Sequence, residues 1–268
     1  MDGMTLQKPK IGTEEVRRAA QILKKYKQGK AHLESRIIDN EQFWKMRHWQ
    51  QMEKNGQKVL LVSSTLPQEG KSHISVNLAL AALQNDKKTV IIDGDMRNPS
   101  VGRMFGFEGQ SLGLSDYFEG KADVEETMIK SGNLSVISAG TKNGGISGII
   151  SDSKMQDLME YLRRNFDFIV IDTPPAGLFS DADILAKYAD TVLYVVRYDH
   201  ASVKESQEGM SSFIQNNKLF GYVINQSHGS LSSYGKYGYS KYGHYGHYGK
   251  YKRYIKTAEK EMNTEDSL

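Results

Sequence analysis

Val59-Leu60-Leu61-Val62-Ser63-Ser64-Thr65-Leu66-Pro67-Gln68-Glu69-Gly70-Lys71-Ser72 couples a four-residue apolar run to a Gly-Lys-Ser ending, and helical patterning follows from Lys71 to Gln84. A short apolar run of this kind suits a buried strand. The ending is that of a phosphate loop. Gly70 lets the backbone turn so that amide hydrogens converge on phosphate oxygens. The helix N-terminus adds partial positive charge. Lys71 is placed to reach β- and γ-phosphates, and the Ser72 hydroxyl to ligate Mg²⁺. The first glycine of the strict pattern is replaced by Thr65. An ordinary strand–turn–helix with an exposed lysine is the alternative.

Further apolar runs follow at Thr89-Val90-Ile91-Ile92, Leu134-Ser135-Val136-Ile137, Phe168-Ile169-Val170-Ile171, Val192-Leu193-Tyr194-Val195-Val196 and Gly221-Tyr222-Val223-Ile224. Helical stretches at residues 153–165, 182–188 and 201–216 separate most of them. Near-continuous apolar strands alternating with helices predict an α/β fold. Its doubly wound, mostly parallel sheet is covered on both faces, as in P-loop NTPases. Ligands of such sheets bind beyond the carboxyl ends of the strands. The expected division is an N-terminal extension of unassigned role (1–33), a helix before the first strand (34–55), an ATP-binding domain (56–229) and a disordered tail (230–268). The chain has 268 residues, with 25% charged and 38% hydrophobic, which excludes a disordered or collagen-like protein. It has no cysteine, so disulfides, thiolate metal sites and cysteine nucleophiles are excluded. No apolar run nears the ~18 residues of a membrane span, and the expected location is cytoplasmic.

Two more strand ends carry acids. Val90-Ile91-Ile92 leads into Asp93-Gly94-Asp95-Met96-Arg97, and Ile169-Val170-Ile171 into Asp172-Thr173-Pro174-Pro175. A buried carboxylate must be paired or hold a metal. Taken singly, each aspartate also suits a helix N-cap or a turn. Together with Gly-Lys-Ser they point to a nucleotide site. Asp172 fits the carboxylate that holds Mg²⁺ in phosphate loop enzymes. Asp93 and Asp95 suit a metal ligand and a general base toward an incoming hydroxyl. Arg97 either neutralises phosphate charge or forms a surface pair.

The chain's last part is tyrosine, glycine, lysine and histidine, too poor in aliphatic residues to pack a core. Tyr234, Tyr237, Tyr239, Tyr242, Tyr245, Tyr248, Tyr251 and Tyr254 recur about every three residues. Lys236, Lys241, Lys250, Lys252 and Arg253 lie among them with no acid. Read alone, such a tract suits stacking on single-stranded nucleic acid, or adhesion. Beside a phosphate loop, it reads as a set of phosphoacceptors, and no nucleic acid is expected. Each phosphate would add about −1.5 to −2 charge to a basic segment.

These residues resemble the bacterial tyrosine kinases of capsule and exopolysaccharide loci. Three motifs carry the resemblance: Pro67-Gln68-Glu69-Gly70-Lys71-Ser72, Asp93-Gly94-Asp95-Met96-Arg97 after its apolar triplet, and Asp172-Thr173-Pro174-Pro175 after its own. Asp181-Ala182, Val195-Val196-Arg197, Gly221-Tyr222-Val223-Ile224-Asn225 and the tyrosine cluster add to it. The resemblance implies an ATP- and Mg²⁺-dependent tyrosine kinase that phosphorylates its own tail between chains and regulates polysaccharide polymerisation and export. It implies catalytic roles for Lys71, Asp93, Asp95, Arg97 and Asp172, with Asp95 as the base. It implies nucleotide contacts from Gly70, Lys71, Ser72, His73, Arg197 and Asn225, and Mg²⁺ ligation by Ser72, Asp93 and Asp172. The implied partners are a membrane-embedded activator of the co-polymerase type, which recruits the chain to the inner membrane face, a cognate tyrosine phosphatase, and further copies of the chain. Partition and septum-site ATPases, the alternative, carry a signature lysine where this chain has Leu66, and they lack the tail. Two departures stand out. The family usually has glycine at the place of Gln68, where a different loop geometry is expected. Its Glu-x-x-Arg-x-x-Arg assembly helix corresponds here to Glu41, Trp44 and Arg47, with the first arginine absent.

Overall fold

The structure, a computed structural model, describes residues 52–106, 112–141 and 152–225. The N-terminal extension, residues 34–51 of the helix expected before the first strand with Glu41, Trp44 and Arg47, and the eight tail tyrosines lie outside the described residues; residues 52–54, the described end of that stretch, are helical. Among the described residues seven strands form one sheet: β1 (Val59–Ser64), β2 (Thr89–Asp93), β3 (Met128–Ser131), β4 (Leu134–Ile137), β5 (Phe168–Asp172), β6 (Thr191–Arg197) and β7 (Leu219–Asn225). The spatial order is β3-β4-β2-β5-β1-β6-β7. All pairings are parallel except β3 with β4. Among the described residues the helices used below are α1 (Lys71–Gln84), α2 (Val101–Met104), α3 (Leu114–Phe118), α4 (Asp152–Asn165), α5 (Asp181–Ala186) and α6 (Val203–Gln215). This is the α/β, doubly wound P-loop NTPase fold expected from the strand–helix alternation.

The pleat sorts each central strand onto two faces. Val59, Leu61, Val90, Ile92, Ile169, Ile171, Val192 and Tyr194 share a core with Met155, Leu158 and Leu162 of α4, Leu185 of α5 and Phe213 of α6. Leu60, Val62, Ile91, Val170, Leu193 and Val195 meet Ile74, Leu78 and Ala82 of α1 on the other face. Residues 74–82 of α1 are buried without a break. A helix apolar all round must lie inside the protein, and this one runs back from the phosphate loop beneath the sheet.

The strand β3 was not foreseen. It is short, half of it lies outside the core, and its Lys130 is exposed, so no apolar run marks it. The signal that would have found it is Gly132-Asn133, the two-residue hairpin turn joining β3 to β4; Gly132 has φ 59°.

The amino-terminal ends of the strands are tied by Asp190. Its Oδ2 accepts the Lys58 and Val59 amides at 2.7 and 2.8 Å, and the Arg163 guanidinium engages both oxygens at 2.9 and 2.6 Å. These hydrogen bonds hold the Asp190 carboxyl below its usual range, although its burial works the other way. The clamp lies at the opposite end of β1 from the phosphate loop. Asp190→Ala is expected to cost about 2 kcal/mol, as loss of hydrogen bonds to a half-buried charge does. Urea unfolding would measure it, and activity below the transition should be unchanged.

Candidate nucleotide and phosphotransfer site

Five neighbouring strands, β2, β5, β1, β6 and β7, end at one edge of the sheet, and each contributes there. The loop after β1 wraps onto the start of α1. Gly70 has φ 94°, and a Cβ on it would collide with the Asn225 side chain, so glycine is required. Gln68 has φ 66°. The loop thus keeps, at the position where the family has glycine, the left-handed conformation glycine favours. A glutamine held there costs about 1–2 kcal/mol, which the surrounding contacts must sustain.

The register of the sheet places Asp93 and Asp172 side by side as paired residues of β2 and β5. Both are fully buried. Asp93 Oδ2 accepts the Ser100 and Val101 amides at 3.0 and 2.9 Å, so it does organise the turn into α2. Its Oδ1 has no hydrogen-bond partner. Asp172 Oδ1 accepts from the Ser75 hydroxyl at 2.9 Å, and its Oδ2 has no partner. Burial pushes the Asp93 carboxyl up to about 7, and the charges of Asp172 and Asp95 add to this. Burial likewise raises Asp172, against the pull of the Lys71 ammonium.

Asp95 is buried and takes a different place. Its Oδ2 lies 3.1 Å from Lys71 Nζ, and its Oδ1 accepts the Asn98 amide at 3.0 Å. The spacing of two between Asp93 and Asp95 thus gives two separate environments: one carboxylate bonded to backbone amides, the other paired with the loop lysine. Arg97 is turned to Asp181, with Nε 3.4 Å from Oδ2, and stacks on Phe179 with its guanidinium carbon 4.4 Å from the ring centroid. Arg97 therefore joins the loop after β2 to the loop after β5. Ser72 is buried at the start of α1, and His73 is exposed beside it. Arg197 donates its amide to Glu69 Oε1 at 3.2 Å, and Asn225 Nδ2 donates to the Glu69 carbonyl at 2.8 Å.

Sequence reasoning passed over Ser75, Phe179 and Glu69. Ser75 stands one helical turn after Lys71, a spacing that puts both on one side of α1. Nothing in the sequence marks Phe179 as a partner of Arg97.

The two unpartnered oxygens on Asp93 and Asp172 suit a hard divalent cation, which takes oxygen ligands. Among the described residues no group of three or more His, Asp or Glu side chains is arranged to hold a metal alone. Such a pair agrees with Mg²⁺, which is commonly held by one or two carboxylates together with phosphates and water.

A family model for ParA, described as NUBPL iron-transfer P-loop NTPase, matches residues 55–235. The tyrosine-protein kinase CpsD of Streptococcus pneumoniae serotype 4 is 33% identical over 181 residues, which are 66% of this chain and 80% of that protein. The chain belongs to the capsule-type bacterial tyrosine kinases. Solved structures share the fold. The chimerical protein CapA2B2 is 27% identical with TM-score 0.67, covering 77% of this chain and 90% of that one. The kinase domain of the Escherichia coli tyrosine kinase ETK is 26% identical with TM-score 0.67, covering 76% and 80%. The chain is therefore a tyrosine-protein kinase that binds nucleotide through a P-loop. Among its described residues no helix is long and apolar enough to cross a membrane.

The paired carboxylates make the kinase pH-sensitive when nucleotide and metal are absent. An unfolded chain releases the Asp93 proton near 3.8, whereas the folded one keeps it to about 7. The folded state thus binds more protons in this window, and stability falls as pH rises through it. Asp172, raised as well, acts in the same sense. The urea midpoint is expected to drop between about pH 5 and about pH 8. Asp93→Asn should flatten the fall, since its amide oxygen still accepts from Ser100 and Val101. A midpoint that rises with pH over this range would contradict the account.

Proposed function

We propose that this kinase transfers the γ-phosphate of Mg·ATP to the tyrosines at 234–254 of another copy of the chain, and so regulates polysaccharide polymerisation and export. The observation that carries the reading is the meeting of Lys71, Asp95, Asp93 and Asp172 at one sheet edge. The loop amides and Lys71 bind the β- and γ-phosphates, with Gly70, His73, Arg197 and Asn225 completing the nucleotide contacts. Mg²⁺ held by Ser72, Asp93 and Asp172 would neutralise charge on the phosphate oxygens. Arg97, fixed by Asp181 and Phe179, keeps the two acidic loops in register.

Lys71 and Asp95 act in sequence. Without nucleotide they neutralise each other. Phosphate oxygens compete for the Lys71 ammonium, and as it turns to them the Asp95 carboxylate is freed as an acceptor. The tyrosine oxygen then bonds to the γ-phosphorus, the bond from that phosphorus to the β-phosphate oxygen breaks, and the tyrosine proton passes to Asp95. ADP leaves.

Tyr234 lies only nine residues beyond Asn225, the last residue of β7, and such a short tether favours a neighbour's site over its own. Similarity to CapA2B2 supports a CapA-type membrane-embedded activator that holds the kinase at the inner membrane face. A cognate tyrosine phosphatase would reset the tail.

Intact mass after incubation with Mg·ATP tests the reading. Stepwise gains of ~80 Da per phosphate are expected; ADP release without mass gain would overturn it in favour of a switch-type ATPase. Lys71→Met and Asp172→Ala should each lower phosphotyrosine by about 100-fold or more, because both groups face charge on the transferred phosphate. A full-length Lys71→Met chain should be labelled by an active chain lacking residues 230–268. If it stays unlabelled while active full-length protein labels normally at the same concentration, transfer is not between chains.

A further inference from the structure

Glu69 is completely buried inside the phosphate loop. A carboxylate removed from water needs partners for its oxygens, and both have them. Oε2 accepts the Leu66 amide at 2.8 Å, and Oε1 accepts the Arg197 amide at 3.2 Å. Leu66 opens the loop, and Arg197 is the last residue of β6. The carboxylate therefore bridges the loop to the strand beside it. Each oxygen is thus bonded to a backbone amide, and the carboxylate is turned to the loop's own shape.

Other bonds run the same way. The Glu69 carbonyl accepts Asn225 Nδ2 at 2.8 Å. Arg197 Nη1 donates to the Gln68 carbonyl at 3.4 Å, and His200 Nε2 to the Pro67 carbonyl at 3.0 Å. Residues 66–69 are thus fastened to the ends of β6 and β7. The loop needs such fastening. Thr65 stands in place of the pattern's first glycine, and Gln68 sits in left-handed backbone that an L side chain adopts only when its surroundings hold it there.

We propose that Glu69 is a positioning residue of the kinase reaction: its carboxylate bolts the phosphate loop to the end of β6 and holds the loop amides facing the phosphates before ATP arrives. This rests on the nucleotide-site reading above. The gain is one of preorganisation. A loop already shaped for phosphate loses less freedom on binding, so the bolt acts on affinity for ATP more than on transfer.

Steady-state phosphorylation by the full-length kinase with ATP varied tests this. Glu69→Gln keeps the shape but sets an NH₂ group against a backbone N–H. KM for ATP should rise about tenfold, as expected for losing one charge-assisted hydrogen bond, while kcat changes little. Glu69→Asp keeps the charge but is one methylene short, and should give a smaller rise in KM with kcat kept. Should Glu69→Gln fail to fold, Glu69→Asp decides on the same criteria. A fall in kcat with KM unchanged would overturn the proposal by placing Glu69 in the chemistry. A lower unfolding temperature with both constants unchanged would overturn it by leaving Glu69 a part of the fold alone. Undiminished phosphorylation by Lys71→Met would instead remove the nucleotide site itself, so the two failures are distinct.

Discussion

Two carboxylates that cannot both be ionised without help stand at the centre of this kinase. Parallel pairing puts Asp93 and Asp172 on neighbouring strands at the same level, and neighbouring strands lie about 4.8 Å apart. At that distance and out of water, like charges raise each other's proton affinity. The surroundings answer in three ways. The turn into α2 lends two amides to Asp93, Ser75 lends a hydroxyl to Asp172, and the Lys71 ammonium lies close enough to favour the Asp172 charge. One oxygen of each carboxylate is left without a partner. That remainder suits a divalent cation, which would link phosphate and Lys71 into one electrostatic unit.

The phosphate loop shows how a fold maintains a backbone shape that its own residues do not favour. Its usual glycines are partly replaced, and one replacement is held left-handed at a cost. The compensation comes from outside the loop, from Arg197, His200 and Asn225, which bond to Pro67, Gln68 and Glu69. The conformation is therefore a property of β1, β6 and β7 together.

Stability and chemistry are placed at opposite ends of the same strands. Asp190 gathers Lys58, Val59 and Arg163 at the amino ends, with charge and acceptors well matched. The carboxyl ends carry the strained and under-satisfied groups. A protein can hold unfavourable groups at a site when bonds elsewhere offset them, and the sheet's continuous core connects the two ends.

The sequence by itself determined the alternation of strand and helix, because buried parallel strands must be apolar on both faces and covering helices must show helical periodicity. The helix α1 and the strand β4 begin and end where the pattern places them. It also marked three strand ends for the candidate site, since Gly-Lys-Ser, Asp-x-Asp-x-Arg and Asp-x-Pro-Pro each follow an apolar run, and these strands are neighbours in the sheet. The hairpin strand β3 escaped, because half-exposed strands lack an apolar signature and only their turn marks them. Tertiary structure alone decided how the acids divide their work. That Asp93 faces Asp172 follows from the order β2-β5-β1, which brings together residues 79 apart in the chain. That Asp95 pairs with Lys71, Arg97 with Asp181 and Glu69 with the end of β6 depends on where the loops close in space. Such pairings join residues distant in sequence, and local patterns carry no record of the contacts that only a closed sheet creates.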